Sequence, residues 1–185
     1  RIERDEKGNI TERQYRLGGL YSDAIAHIVE NLDSAANYAE NDAQRKIIER
    51  LVDFYRSGDL ATFDDYSIRW AEDTVSQVDF INGFIESYGD PLGMTGSWES
   101  IVNFKNIPAS ERTEVLSANA QWFEDNSPVD PQFRKEKVKG VSAKVITAAI
   151  LAGDAYPATP IGINLPNANW IRAAHGSKSV TIENI

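Results

Sequence analysis

The 185-residue sequence has no cysteine, two histidines and fewer basic than acidic residues. Without cysteine the chain forms no disulfide, no iron–sulfur cluster and no thiol nucleophile. Its 19 basic and 28 acidic residues give a net charge of −9, which repels a phosphate backbone, so we expect no nucleic acid partner. No apolar run reaches the roughly 20 residues that a membrane-spanning helix needs, so we expect no membrane partner.

Motifs for several common reactions are also missing from the sequence. His27 and His175 are far apart and belong to no H-E-x-x-H pattern, so we expect no metal site within the chain. The glycines of 89–96 lack the G-K-[ST] end of a phosphate-binding loop. No G-x-S-x-G segment is present to carry a serine nucleophile. The simplest arrangements for metal, phosphate and serine chemistry are therefore excluded.

The composition is that of a globular protein, with 42% hydrophobic and 25% charged residues. Residues 1–18 are polar, and we predict that they form a disordered or loosely attached leader. The chain begins without methionine and stops inside an apolar alternation at 179–185. Because natural domains usually cover a strand edge at a terminus, these features favour a fragment of a longer protein.

Apolar residues recur three and four positions apart through the first part of the chain, which predicts amphipathic helices. We predict three of them, over about 20–39, 42–57 and 60–73. Gly58 is placed to end the second helix, and Asp59 is placed to cap the third.

The period then changes to that of strands, because β-branched and aromatic residues predict a strand over 77–88 and a second from Trp98. Pro108 introduces a helix predicted over 109–125. Further elements are predicted towards the end of the chain: strands over 138–152, within 157–167 and over 179–185, and a short helix over 168–174. The predicted fold class is α+β, with N-terminal helices followed by a mixed β-sheet that a helical insertion interrupts.

The first candidate site follows the strand over 77–88. Glu86 and Tyr88 are two residues apart, so in a strand they would lie on one face and place a carboxylate beside a phenol. Gly89, Asp90 and Pro91 then predict a tight turn. The alternative interpretation is an ordinary tyrosine beside a solvated carboxylate.

The second candidate site is the segment 160–167, which reads PIGINLPN. Proline cannot donate to a strand ladder, so Pro166 predicts an edge strand. An edge strand with polar side chains at its exit, here Asn164 and Asn167, is an arrangement that binds extended peptides by strand addition. An asparagine-rich turn without a function is the alternative.

These two segments together carry a family resemblance. The sequence DFINGFIESYGDPLGMTGSWE at 79–99, with its E-S-Y-G-D-P-L-G core, resembles the corresponding segment of the dipeptidyl peptidase III family of zinc metallopeptidases. PIGINLPNANWIR at 160–172, followed by SVTIENI, is similar to that family's second segment. Their order and separation also match. The resemblance covers roughly 78–185 and is weak over 1–75.

The resemblance implies a two-lobed exopeptidase that removes dipeptides from the amino end of short peptides. It implies that Glu86 binds the α-ammonium group, with Asn164 and Asn167 adding hydrogen bonds, and that Tyr88 is catalytic as a donor to the oxyanion. The strand that contains Gly162 would pair with the peptide backbone. The divisions implied for the chain are four: a leader over 1–18, helices and first strands of the substrate-binding lobe over 19–102, a helical insertion over 103–140, and substrate-binding strands over 141–185.

Two departures from the family pattern limit what the chain can do. The zinc motif H-E-x-x-G-H is absent, so zinc would be a cofactor of the full-length enzyme only, and the chain alone would be inactive. Gly89 stands where many relatives carry a basic residue. The alternative to a peptidase fragment is a self-contained peptide-binding or scaffolding domain without catalysis.

Partners and location follow from the same assignment. We expect a short peptide as substrate and a cytoplasmic location. If 103–140 reaches the other lobe in the full-length enzyme, the stripe around Trp122 and Phe123 would be exposed in this chain. Such an apolar patch would drive self-association.

Overall fold

The computed structural model describes residues 1–138 and 141–185. The chain divides into two compact units, Arg1–Asp73 and Thr74–Ile185. The last two residues of the predicted insertion, Lys139 and Gly140, lie outside the described residues. No helix in the described part of the chain combines the length and hydropathy needed to cross a bilayer. The expected cytoplasmic location stays a prediction.

The first unit opens with a hairpin of two short strands, β1 (Ile2–Arg4) and β2 (Ile10–Glu12), which pair antiparallel. The Asp5 carboxylate shapes the turn, because it accepts hydrogen bonds from the backbone N–H groups of Lys7 and Asn9 at 2.9 and 2.8 Å. The hairpin contradicts a disordered leader over these residues, and the prediction that 1–18 is a loosely attached leader stays a prediction. Local turn chemistry orders a segment that has no apolar pattern of its own.

Three helices follow, and all three were predicted. They are α1 (Ser22–Ala35), α2 (Asp42–Ser57) and α3 (Leu60–Glu72). Gly58 ends α2 in the left-handed conformation with φ of 71°, and the Asp59 side chain caps α3 by accepting from the Ala61 N–H. The core of this unit consists of buried apolar residues from the three helices: Ile25, Val29, Ile47, Ile48, Leu51, Val52, Phe54, Tyr55, Tyr66 and Trp70.

The second unit is built on a five-stranded mixed sheet. Its strands are β3 (Val78–Glu86), β4 (Ser97–Lys105), β5 (Val141–Gly153), β6 (Gly162–Leu165) and β7 (Ser177–Ile182). Their order is β3-β4-β5-β7-β6, and β5 pairs with β7 in parallel while the other pairs are antiparallel. Helices and a mixed sheet make the fold α+β, as predicted.

The insertion between β4 and β5 contains two helices where one was predicted over 109–125. They are α4 (Ile107–Ala118) and α5 (Ala120–Asp125). The break falls at Asn119, whose side-chain amide donates to the Val115 carbonyl at 2.7 Å. A side chain that bonds its own backbone in this way competes with the helical ladder, and here it lies at the point where α4 ends. A third helix, α6 (Asn169–His175), connects β6 to β7.

The sheet curls, so that β3 and β7, which are the first and fourth strands in the sheet order, come into contact on its inner face. Lys178 on β7 is 1% exposed, and its Nζ lies 2.8 Å from the Asp79 carboxylate on β3. On β4 the inner face carries Glu99, Ile101 and Asn103, which are all buried. The curl brings the end of β3 towards the segment that follows β6.

Candidate functional site

A cavity of about 390 Å³ lies at one end of the curled sheet. It contains all five site residues predicted from the sequence and two acidic residues that were not predicted. The lining consists of Glu86, Tyr88, Glu99, Asp154, Ala158, Pro160, Gly162, Ile163, Asn164, Leu165 and Asn167. Among the residues that the structure describes, the lining includes three acidic residues and no basic one.

Glu86 is the last residue of β3, and it contacts the segment after β6. The Asn167 side-chain amide donates to Glu86 Oε1 at 3.3 Å, although the two residues are 81 positions apart. A register shift between Phe84 and Glu86 turns the end of β3. Such an irregularity re-aims a side chain relative to the strand, and here it accompanies the approach of Glu86 to Asn167.

Tyr88 lies in the turn after β3 and is 92% exposed. The prediction that Glu86 and Tyr88 share one face of a strand is wrong, because β3 ends at Glu86. Both residues nevertheless line the cavity. The turn itself is held by Asp90, whose carboxylate accepts from the backbone N–H groups of Leu92, Met94 and Thr95. These hydrogen bonds, first that from Leu92, lower the pKa of Asp90.

β6 supplies the opposite wall of the cavity. In the described residues it pairs with β7 alone, so it is an edge strand, as Pro166 predicted. Asn164 lies on this strand, and Gly162 begins it. A Cβ atom at Gly162 would lie 2.9 Å from the Val180 carbonyl oxygen, so glycine permits the close approach of the two strands.

Glu99 is a site residue that the sequence interpretation missed. It is 8% exposed, and burial is the main cause that raises its pKa to about 7, with the charges of Glu86 and Asp154 adding to the effect. The available signal was its position in β4, because alternation places Glu99 on the same face as Ile101 and Asn103. A glutamate on the buried face of a strand is rare in proteins, so this position could have indicated a functional residue.

Asp154 is the second missed residue, and the turn that places it begins at Gly153. Gly153 has φ of +62°, and a Cβ atom there would lie 2.1 Å from the Trp98 carbonyl oxygen. That same oxygen accepts from the Asp154 N–H at 3.1 Å. The Ser97 hydroxyl then donates to the Asp154 carboxylate. No local pattern marks Asp154, because an aspartate after a glycine is an ordinary turn residue.

The arrangement is suited to binding a cation that carries hydrogen-bond donors, beside a strand with a free edge. Among residues 1–138 and 141–185, no group of three or more histidine, aspartate or glutamate side chains is placed to hold a metal ion.

Comparisons with known proteins agree with the resemblance seen in the sequence. The chain is 33% identical over 177 residues to dipeptidyl peptidase 3 from Dictyostelium discoideum, which covers 92% of this chain and 25% of that protein. It is 31% identical over 167 residues to dipeptidyl peptidase 3 from Homo sapiens, which covers 90% of this chain and 22% of that protein. The chain thus spans about a quarter of the length of these curated relatives.

The fold also matches solved structures. That of DPP III from Caldithrix abyssi superposes with a TM-score of 0.86 at 21% identity, covering 100% of this chain and 34% of that one. That of dipeptidyl-peptidase III from Corallococcus sp. strain EGB gives 0.83, also at 21% identity. The sequence profile of peptidase family M49 matches residues 3–185, which is nearly the whole chain. The predicted family is confirmed, and the chain belongs to peptidase family M49.

Proposed function

We propose that this chain is the peptide-binding part of a dipeptidyl peptidase, which removes dipeptides from the amino end of short peptides. The observation that carries the proposal is the contact between Glu86 and Asn167 at the end of an edge strand. It joins an anion, an amide and a free strand edge in one cavity. An extended peptide with a charged amino end needs these three groups.

Glu86 binds the α-ammonium group of the peptide. Asn167 already donates its side-chain amide N–H to Glu86, so its amide oxygen stays free to accept from the same ammonium group. An ammonium group offers three donors, which a carboxylate and an amide oxygen can share. This pair would select the amino end of a peptide over an internal residue.

The peptide backbone pairs with the free edge of β6. At about 3.3 Å per residue, the four residues of this strand span about 13 Å, which suits a short peptide. Asn164 adds a polar side chain along this strand, and Gly162 leaves its end free of a side chain. The length of the strand thus favours short peptides bound near their amino end.

The phenol hydroxyl of Tyr88 donates a hydrogen bond to the carbonyl oxygen of the scissile bond as that oxygen gains negative charge. Removal of one such donor usually lowers turnover by about 10²–10³-fold. Tyr88→Phe in a full-length enzyme should therefore lower kcat much more than it raises KM. Equal turnover would remove Tyr88 from the catalytic residues.

The chemistry that activates water lies outside this chain in our proposal, and zinc would supply it in the full-length enzyme. The pure chain should bind peptides without hydrolysing them. Dipeptide release from a dipeptidyl arylamide by the pure chain, with stoichiometric zinc added, would contradict this division of roles.

Calorimetric titration with a short peptide tests the binding proposal. Tetra-alanine should bind, and acetylation of its amino end should weaken binding by about tenfold or more, because Glu86 loses a charged partner. Glu86→Gln and Asn167→Ala should weaken binding in the same way, whereas Glu49→Gln, an exposed change on α2, should not. Equal affinity for the free and acetylated peptides would overturn the proposed recognition of the amino end.

A further inference from the structure

The end of β3 departs from regular strand pairing by one residue. Phe84 on β3 pairs with Trp98 on β4, and Glu86 pairs with Ser97, so two steps along β3 match one step along β4. Ile85 is therefore the extra residue of a β-bulge. Because side chains alternate between the two faces of a strand, one extra residue changes the face on which the following side chain lies.

The bulge moves Glu86 to the inner face of the sheet. On β4 the buried Glu99 lies on the inner face, and Ser97 is two residues before it, so Ser97 lies on the same face. Residues that pair across two strands share a face, which places Glu86 there as well. In an unbroken register Ile85 would lie opposite Ser97, and Glu86 would point to the outer face. The position of Glu86 in the cavity thus depends on the bulge.

Side-chain chemistry alone would favour the unbroken register. That register would bring the apolar side chain of Ile85 to the inner face and would leave the carboxylate of Glu86 in solvent, and both changes are favourable. It would also pair one more residue of β3 with β4. Specific contacts are therefore needed to stabilise the bulge.

Two consecutive residues at the start of β4 supply these contacts. The Ser97 hydroxyl lies 2.9 Å from the Glu86 carbonyl oxygen and also contacts the Asp154 carboxylate, so it joins the ends of β3 and β4 to the turn after β5. A hydroxyl has one proton, so it donates to one of these acceptors at a time. A Cβ atom at Gly96 would lie 2.7 Å from the Phe84 carbonyl oxygen, so glycine leaves room for the bulged backbone.

We propose that Gly96 and Ser97 are positioning residues, which hold the bulge at Ile85 and so keep the Glu86 carboxylate in the cavity for the amino end of a peptide. The proposal rests on the proposed function and adds the residues that allow Glu86 to perform it. Neither residue needs to touch the peptide. Selection of a free amino end is thus determined by β4 as well as by Glu86 itself.

Calorimetric titration with tetra-alanine and its acetylated form tests this role. Ser97→Ala should weaken binding of the free peptide by about threefold or more and should leave binding of the acetylated peptide unchanged, because only the free peptide depends on Glu86. Ser97→Thr keeps the hydroxyl and should restore the preference for the free peptide. Ser100→Ala is the matched control, because the Ser100 hydroxyl accepts from the Asn82 amide on the other face of β4. It should change neither affinity.

A second variant and a double variant separate positioning from a general effect on the fold. Gly96→Ala should weaken binding of the free peptide alone, as Ser97→Ala does. The double variant Glu86→Gln with Ser97→Ala should bind both peptides as Glu86→Gln does, because Ser97 acts through Glu86. A further loss in the double variant would contradict the proposal. Circular dichroism checks that each variant is folded.

The outcomes separate the positioning role from the proposed function. If the wild-type chain prefers the free peptide and both Ser97→Ala and Gly96→Ala keep the full preference, the positioning role is wrong and recognition of the amino end stands. If these variants weaken binding of both peptides equally, the positioning role is also wrong, because the effect does not act through Glu86. If the wild-type chain binds neither peptide or binds both equally, the proposed function and the positioning role both fall.

Discussion

Glu99→Gln should make the second unit more stable at pH 8 and should leave its stability nearly unchanged at pH 4. The substitution keeps the shape of the side chain and removes the carboxyl group whose pKa burial raises from 4.5 to about 7. Well below pH 4.5 the glutamate is protonated in both the folded and the unfolded chain, so its ionisation does not change the free energy of unfolding there. Between pH 4.5 and 7 the folded chain holds a proton that the unfolded chain has lost, so the free energy of unfolding falls as the pH rises.

The size of this effect follows from the pKa difference. Each pKa unit is worth about 1.4 kcal/mol, so the difference corresponds to roughly 3 kcal/mol. The cavity is open to water that screens the charge, so we expect a smaller effect, about 2 kcal/mol. Above pH 7 the folded wild-type chain holds Glu99 as a buried carboxylate and loses this full amount of stability, whereas the variant has no such carboxylate and loses none.

Urea unfolding of both chains between pH 4 and 8 measures this difference. Hydrogen exchange of peptides from β4 reports the second unit alone. Glu183→Gln provides a control of opposite sign, because hydrogen bonds from Thr147 and then Asn106 lower the pKa of Glu183. That variant should be less stable than the wild type at neutral pH and should approach it as the pH falls below 4.5. Parallel curves for the wild type and Glu99→Gln would refute the reasoning.

Three further changes test the packing of the second unit. Gly153→Ala should lower the free energy of unfolding by about 2–4 kcal/mol, because its Cβ would meet the backbone of the neighbouring strand. Gly89→Ala is the control, since nothing lies within 4 Å of its Cβ, and it should lower that free energy by about 0.5 kcal/mol or less. Thermal unfolding measures both changes. Lys178→Met should lower the free energy of unfolding by about 3–5 kcal/mol, because the largely buried Asp79 carboxylate loses the Lys178 ammonium group. Adding Asp79→Leu should recover much of that loss, and no recovery would contradict a stabilising role for this ion pair. Trp122 is 59% exposed, so sedimentation should show self-association that Trp122→Gln weakens, and a monomer at all concentrations would contradict it.

Local signals in the sequence were enough to predict most elements. Gly58 and Asp59 mark the boundary between α2 and α3, because a left-handed residue ends a helix and a side-chain acceptor begins one. Pro166 marked β6 as an edge strand. These features depend on a few neighbouring residues, so they can be read without knowing the rest of the fold.

Features that depend on distant residues were harder to predict. The leader forms a hairpin through the side chain of Asp5, which resembles any polar residue in a one-dimensional pattern. Tyr88 lies outside the strand that its spacing suggested, because β3 ends at Glu86, directly after a register shift in its pairing with β4. Asp154 joins the site only because β5 pairs with β4 in one particular register.

The register between β4 and β5 explains why the cavity contains acidic residues that are not the polar residues of the two predicted sites. Side chains alternate across a strand, so a slip of one residue between β4 and β5 would move Glu99 from the inner face to the outer face. Gly153 opposes such a slip, because its left-handed backbone and its contact with the Trp98 carbonyl fit one register only. The same turn carries Asp154 to the cavity beside Glu99. The glycine that looks like a simple strand terminator therefore determines where two of the three carboxyl groups meet.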